Sequence, residues 1–220
     1  MSKNILIVES ENDKYFIEAL IQYLNIQNIE VDTPICNIND YECLSGVDSL
    51  PNRLKDLKKE IESKDIKKIG ILIDADDKGI DERIQFINSH LKQICSDVNI
   101  TQINMIEYSH ELDVDFVCCI THVAGNGELE TLLRTVKSED STYADCLNAW
   151  QTCLPADKKL APKEFDKFWV QIYQRYDCCT KEEKKQAGRK CNSEVSLKEK
   201  PIWNFEHEAF TDLKAFLQLF

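Results

Sequence analysis

KKIGILIDADD, residues 67–77, is the stretch that decides the fold class. KKIGILI (67–73) is short, apolar through its last five positions, and bounded by an acidic turn, DADDKG (74–79). A run of that kind, apolar on both alternating sets of positions, is a strand covered on both faces, as in a parallel sheet. After the turn, Ile84, Phe86, Ile87 and Leu91 recur at helical spacing. The same order stands at the start of the chain. NILIV (4–8) reads as a buried strand, and from Asp13 onward Tyr15, Phe16, Ala19, Leu20, Tyr23 and Leu24 line one helical face.

Working outward, IEVDTPICNI (29–38) predicts a second strand with Pro34 at a bend or edge. Residues 50–63 predict an amphipathic helix with Pro51 in its first turn and Leu54, Leu57 and Ile61 facing inward. TQINMIEY (101–108) and DVDFVCCIT (113–121) predict two more strands, and the AGNG loop precedes a helix that opens with ELETLL. Strands alternating with helices give an α/β fold with a mainly parallel, Rossmann-like sheet flanked by helices. Past about residue 140 helical aromatic patterns take over, as in EFDKFWVQIYQRY (164–176). In the final segment Phe210, Leu213, Phe216, Leu217 and Phe220 form an apolar stripe that should pack back on the sheet. The expected division is an α/β domain over 1–135 and a helical C-terminal extension over 136–220.

The 220 residues suffice for one good-sized core with an appendage. No apolar run approaches the roughly 20 residues of a membrane span. The N-terminus leads straight from a short strand into acidic residues, unlike a signal peptide. The expected location is therefore cytoplasmic, with no membrane partner and with the ten cysteines reduced. None of these forms a C-x-x-C pair. Cys118-Cys119-x-x-His122 comes nearest to a zinc pattern, but the two cysteines sit in an apolar run and read as buried small hydrophobes.

A net charge of −12 argues against a surface coated for nucleic acid. The charge is uneven, however. Residues 151–200 hold 12 Lys+Arg against 8 Asp+Glu, a local +4, which leaves the rest of the chain at −16. Lys158, Lys159, Lys184, Lys185, Arg189 and Lys190 are the candidates for phosphate-backbone contact, although such a charged helix is commonly a solvated face.

The carboxylates carry the chemistry. Glu9 ends the first strand, Asp13 lies four residues on, and Asp74 and Asp76 end the third, with Asp77 next. Ligands bind at the carboxyl ends of parallel strands, and residues two apart on extended chain point the same way. If the strands are neighbours, the four carboxylates face one another. They repel unless a cation neutralises them, and oxygen-only donors select Mg²⁺ or Mn²⁺. Such a site suits work on a phosphodiester. Taken singly, D-x-D is often a turn and Asp13 a helix cap. Carboxylates at two βα junctions of one sheet make the metal reading the stronger.

V-E-S-E-N-D (8–13) and I-D-A-D (73–76), each after an apolar strand, resemble the two signature motifs of the Toprim domain. Topoisomerases, DnaG-type primases, recombination mediators and OLD-family nucleases contain that domain. The resemblance covers residues 3–135 and implies a Toprim-like fold. It also implies Glu9 as the proton-transfer carboxylate and Asp74 and Asp76 as Mg²⁺ ligands. G-E-L-E-T-L-L (127–133) is similar to the Gly-x-Leu-Glu segment of small stand-alone Toprim-related proteins and OLD-type nucleases, which implies Glu130 as a site residue with Glu128 as a secondary candidate; the alternative is that both glutamates are ordinary first-turn helix acids favoured by the dipole. Ser10 stands where the family has glycine, a substitution that strains the loop if the position needs positive φ. No G-x-x-x-x-G-K-[ST] motif, zinc ribbon or catalytic-tyrosine context accompanies the match.

The function expected is Mg-dependent cleavage of DNA or RNA, with Glu9 as general acid/base, Asp74 and Asp76 on the metal, and Asp13 and Glu130 as further ligands. The alternative is a catalytically silent Toprim-like subunit of a larger assembly, such as an anti-phage defence system, with a protein partner. A phosphotransferase of receiver-like or haloacid-dehalogenase-like design would want aspartate at position 9 and a partner lysine that the pattern does not single out.

Overall fold

A computed structural model describes residues 3–36 and 46–220. The strands are β1 (Lys3–Ile7), β2 (Ile29–Val31), β3 (Ile66–Asp74), β4 (Glu107–Ser109) and β5 (Val114–Thr121). The helices of the first part are α1 (Glu11–Leu24), α2 (Leu50–Lys64), α3 (Gly79–Leu91) and α4 (Leu129–Thr135). The later ones are α5 (Thr142–Cys153), α6 (Pro162–Ile172), α7 (Lys181–Lys184), α8 (Ala187–Lys190), α9 (Ser193–Lys198) and α10 (Thr211–Leu217).

The sheet order is β2-β1-β3-β5-β4, with only β4 antiparallel. The α/β class and the mainly parallel sheet are as the apolar runs predict. Side chains alternate across the sheet. Leu6, Val8, Leu72, Val117 and Cys119 enter one core with α1 and the C-terminal helices. Ile7, Ile69, Ile71, Ile73, Phe116 and Cys118 enter the other, under α2 and α3. Cys118 and Cys119 thus lie on opposite faces as core residues, and burial pushes the Cys118 thiol up to about 12.

The C-terminal part is one layer of this architecture. Trp169, Tyr173, Trp203, Phe210 and Phe216 share a core with Leu6, Val8 and Phe16. Gly70 in β3 lets it close. A Cβ there would stand 2.4 Å from the Phe220 ring, 3.0 Å from Leu6 and 3.1 Å from Phe216. Gly70→Val is therefore expected to lower unfolding free energy by about 1–3 kcal/mol through overpacking. Chemical denaturation that leaves the midpoint unchanged would mean that Phe220 is not seated on β3.

Three expectations need correction. The strand predicted over 101–108 shrinks to Glu107–Ser109. Asn104 is left-handed (φ 59°), and Asn88 holds Ile100 in a turn by donating to its carbonyl at 2.7 Å and accepting from its N–H at 2.9 Å. Apolar residues there mark a loop, with Met105 39% and Ile106 38% exposed. The predicted second strand keeps only Ile29–Val31 as regular β, because Pro34 interrupts the ladder. Beyond it Ile35 and Cys36 donate backbone hydrogen bonds to Val8 and Glu9 at 3.1 and 3.0 Å, while positions 37–38 lie outside the described residues. The cysteines are not all reduced, since Cys179 and Cys191 form a disulfide across α7 and α8. No helix among the described residues is long and apolar enough to cross a membrane.

Candidate metal centre

β1 and β3 are neighbours, but their following helices go to opposite faces, α1 to one core and α3 to the other. A crevice opens between two such strands at their carboxyl ends, where α/β sheets bind ligands. Glu9 and Asp74 stand at its two sides.

Ser10 is extended (φ −124°, ψ 170°), so serine in place of glycine strains nothing. Instead it caps α1. Its N–H and hydroxyl donate to Asp13 Oδ2 at 2.8 and 2.6 Å, and the Asp13 N–H donates to Ser10 Oγ at 3.3 Å. Asp13 is thus the third helical residue of a capping box and lies buried facing the crevice. The helix-cap reading of Asp13 holds for one of its oxygens.

Asp76 adopts φ 50°, which aspartate tolerates better than most residues. It is pinned by reciprocal backbone bonds with Gly127, each 2.8 Å. Gly127 has φ 96°, and a Cβ would meet Thr131 at 3.0 Å, so glycine is needed there. The D-x-D turn and the G-E-L-E segment are in this way tied into one unit. Glu128 is buried at the start of α4, and Glu130 accepts from Asn12 Nδ2 at 3.3 Å.

Burial and mutual repulsion act on these carboxylates together. Asp74 is held well above the usual carboxylate range by burial, then by Asp13, Glu9, Glu130 and Glu128. Burial, then Glu9, pushes Asp13 up to about 7. Glu128 also rises to about 7 through burial and Glu130, against Lys167 and Lys163. Glu9 rises through burial and Asp76, moderated by a backbone hydrogen bond from Asp74. Glu9 Oε2, Asp74 Oδ1 and Glu128 Oε1 are buried without a hydrogen-bond partner among the described residues.

The sequence reading missed the cations at this site. Arg83 from α3 pairs with Asp76 Oδ2, and Lys163 reaches Asp76 Oδ1 at 2.7 Å and Glu128 Oε2 at 3.0 Å. Lys167, one turn on, lies 3.6 Å from Glu128. Burial works against the Lys163 ammonium, yet Asp76 and Glu128 hold its pKa above the ordinary lysine range. Helix α6 delivers these lysines because Asp166 fastens it to α4, accepting from Thr131 Oγ1 and Arg134 Nη1 at 2.8 Å each. The available signal was the i, i+4 spacing of Lys163 and Lys167 beside the buried pair Phe165 and Trp169. The predicted basic candidates sit elsewhere, with Lys158 and Lys159 in the turn after α5, Lys184 and Lys185 at α7, and Arg189 and Lys190 in α8.

Six carboxylates (Glu9, Asp13, Asp74, Asp76, Glu128 and Glu130) therefore meet three cations (Arg83, Lys163 and Lys167). Among the described residues no three acidic, histidine or cysteine side chains form a ready-made metal cage. Asp76 is turned toward Arg83 and Lys163. The donors nonetheless fit a hard divalent ion, being oxygen only, in excess of their counter-charge, and left with orphaned oxygens.

Fold and site together define a Rossmann-like α/β protein with a carboxylate-rich crevice at its strand ends. The chain belongs to the family described as "Protein of unknown function (DUF3226)", which it matches over residues 3–220. Comparison with curated proteins and with solved structures gives no match.

Proposed function

We infer that this is a Toprim-type, Mg²⁺- or Mn²⁺-dependent protein that cleaves phosphodiester bonds of DNA or RNA. One observation carries the reading: Glu9 and Asp74, at adjacent parallel strand ends, keep buried carboxylate oxygens with no partner among the described residues. Asp74 and Asp76 would hold the ion, with Asp13 and Glu130 as further ligands. When bound, such an ion neutralises and orients a phosphodiester. Glu9, with its pKa raised by burial and Asp76, is suited to accept and return a proton. Lys163, Lys167 and Arg83 supply positive charge at the crevice. The test is cleavage of labelled single- and double-stranded DNA and RNA with Mg²⁺ or Mn²⁺ against a chelator. Wild type should cut only with the ion and Asp74→Asn not at all. Equal behaviour of the two proteins sinks the reading.

The clasp on Asp76 favours a second reading, a catalytically silent Toprim-like subunit whose Arg83 and Lys163 stand in for the ion. Lys163→Met separates the two. In the metal-dependent protein, removing the competing ammonium should tighten Mn²⁺ binding about tenfold by calorimetry, the equivalent of about 1.4 kcal/mol. In the silent one neither form binds.

A further inference from the structure

Three of the exposed aromatic rings among the described residues lie in the C-terminal part. Tyr143 is 60% exposed, Trp150 41% and Tyr176 43%. Tyr143 and Trp150 are seven residues apart on α5, which puts them on one face about 10 Å apart. Asp177 sets the third ring beside them. Its carboxylate accepts the Tyr143 and Ala144 N–H groups at 2.8 and 3.0 Å, bringing the Tyr143 and Tyr176 rings to 6.1 Å. Trp150 stands edge-on to Phe168 of α6 at 5.7 Å.

Cations border the same face. Arg175 and Lys184 lie 6.0 and 5.4 Å from the centre of the Tyr176 ring. Residues 175–190 hold six Lys or Arg against three acids. Of those acids Glu183 pairs with Lys200 at 3.0 Å, and Asp177 is spent on the α5 amides. Lys181, Lys185, Arg189 and Lys190 are left without a carboxylate partner among the described residues. In a chain of net charge −12, this is a surface that attracts a polyanion.

We propose that the face formed by Tyr143, Trp150 and Tyr176, bordered by Arg175 and Lys184, is a stacking platform for single-stranded nucleic acid. Aromatic rings accept unpaired bases whatever their sequence, while the cations track the backbone. A duplex keeps its bases stacked internally and cannot use the rings. The platform also leads to the crevice. Phe168, against Trp150, is the neighbour of Lys167, which reaches Glu128 at 3.6 Å. The proposal deepens the phosphodiester reading and names its substrate as single-stranded.

The test is fluorescence anisotropy of the full chain with labelled oligo-dT and oligo-U of about 16 nucleotides, a typical single-strand site size. A duplex of equal length and polyglutamate serve as controls, all in chelator so that cleavage plays no part. Single strands should bind at least about tenfold tighter than duplex. Trp150→Ala should weaken them about tenfold or more, Trp150→Phe should restore most of that loss, and Arg175→Glu with Lys184→Glu should lower both affinity and salt dependence. Circular dichroism melts of each variant should match wild type. Equal binding of duplex, equal displacement of the oligonucleotides by polyglutamate, no binding by wild type, or indifference to both sets of variants overturns the platform. Those failures would leave metal binding at Asp74 intact, whereas a silent crevice would leave oligonucleotide binding intact.

Discussion

The metal-free protein is expected to melt roughly 5–10 °C lower at about pH 8 than at about pH 5. The fold pushes Asp13 and Glu128 up to about 7, and burial with its carboxylate neighbours holds Asp74 well above the usual carboxylate range. A carboxyl whose pKa is raised on folding stabilises the native state while it is protonated. That contribution is complete below the unfolded value near 4 and is lost as pH rises through the folded value. A shift of three units corresponds to about 4 kcal/mol for one group, and mutual interaction makes the sum less than additive. Carboxylates lowered by partners, such as Glu60 beside Arg53, act in the opposite sense and only at more acidic pH. Asp74→Asn should flatten the profile and raise the melting temperature at about pH 8. Excess Mg²⁺ should do the same for wild type, by about 2.7 kcal/mol at a hundredfold excess over Kd. A wild-type profile that is flat or rises over this range would show that the carboxylates are not held together in the crevice.

Glu9→Gln is expected to reduce phosphodiester cleavage by about 10²–10⁴-fold, the usual contribution of a positioned acid or base. The change keeps shape and removes proton exchange. Since Asp74 and Asp76 are the inferred ligands, Mn²⁺ affinity by calorimetry should change little. Asp74→Asn should instead lose ion binding and cleavage together. The pH–rate profile of wild type should report the raised Glu9 pKa as its acidic limb, and that limb should vanish in Glu9→Gln. A Glu9→Gln protein that cleaves at the wild-type rate would remove Glu9 from proton transfer.

Several features were readable in the sequence because they depend on spacing along the chain. The buried strands at 4–8, 67–73 and 113–121 follow from unbroken apolar runs, and the helices from period 3.6. Glu9 and Asp74 follow as strand-end residues, since a carboxylate closing such a run must lie where the strand leaves the core. The loop at 101–106 was misread because its apolar residues resemble a strand until Asn88, distant in sequence, claims Ile100.

Only the tertiary structure decided which charges meet. That β1 lies beside β3 with their helices on opposite faces turned two acidic motifs into one crevice. Asp76 came to Gly127 through a backbone pair that no local pattern announces. Lys163 arrived from 87 residues away because Asp166 fastens α6 to α4. The basic segment, legible as charge alone, gained aromatic partners when Asp177 brought Tyr176 to Tyr143. Sequence periodicity specifies what each element buries, because burial is a property of one face. Which charged side chains share a site depends on how the faces stack, and that is set by the whole core at once.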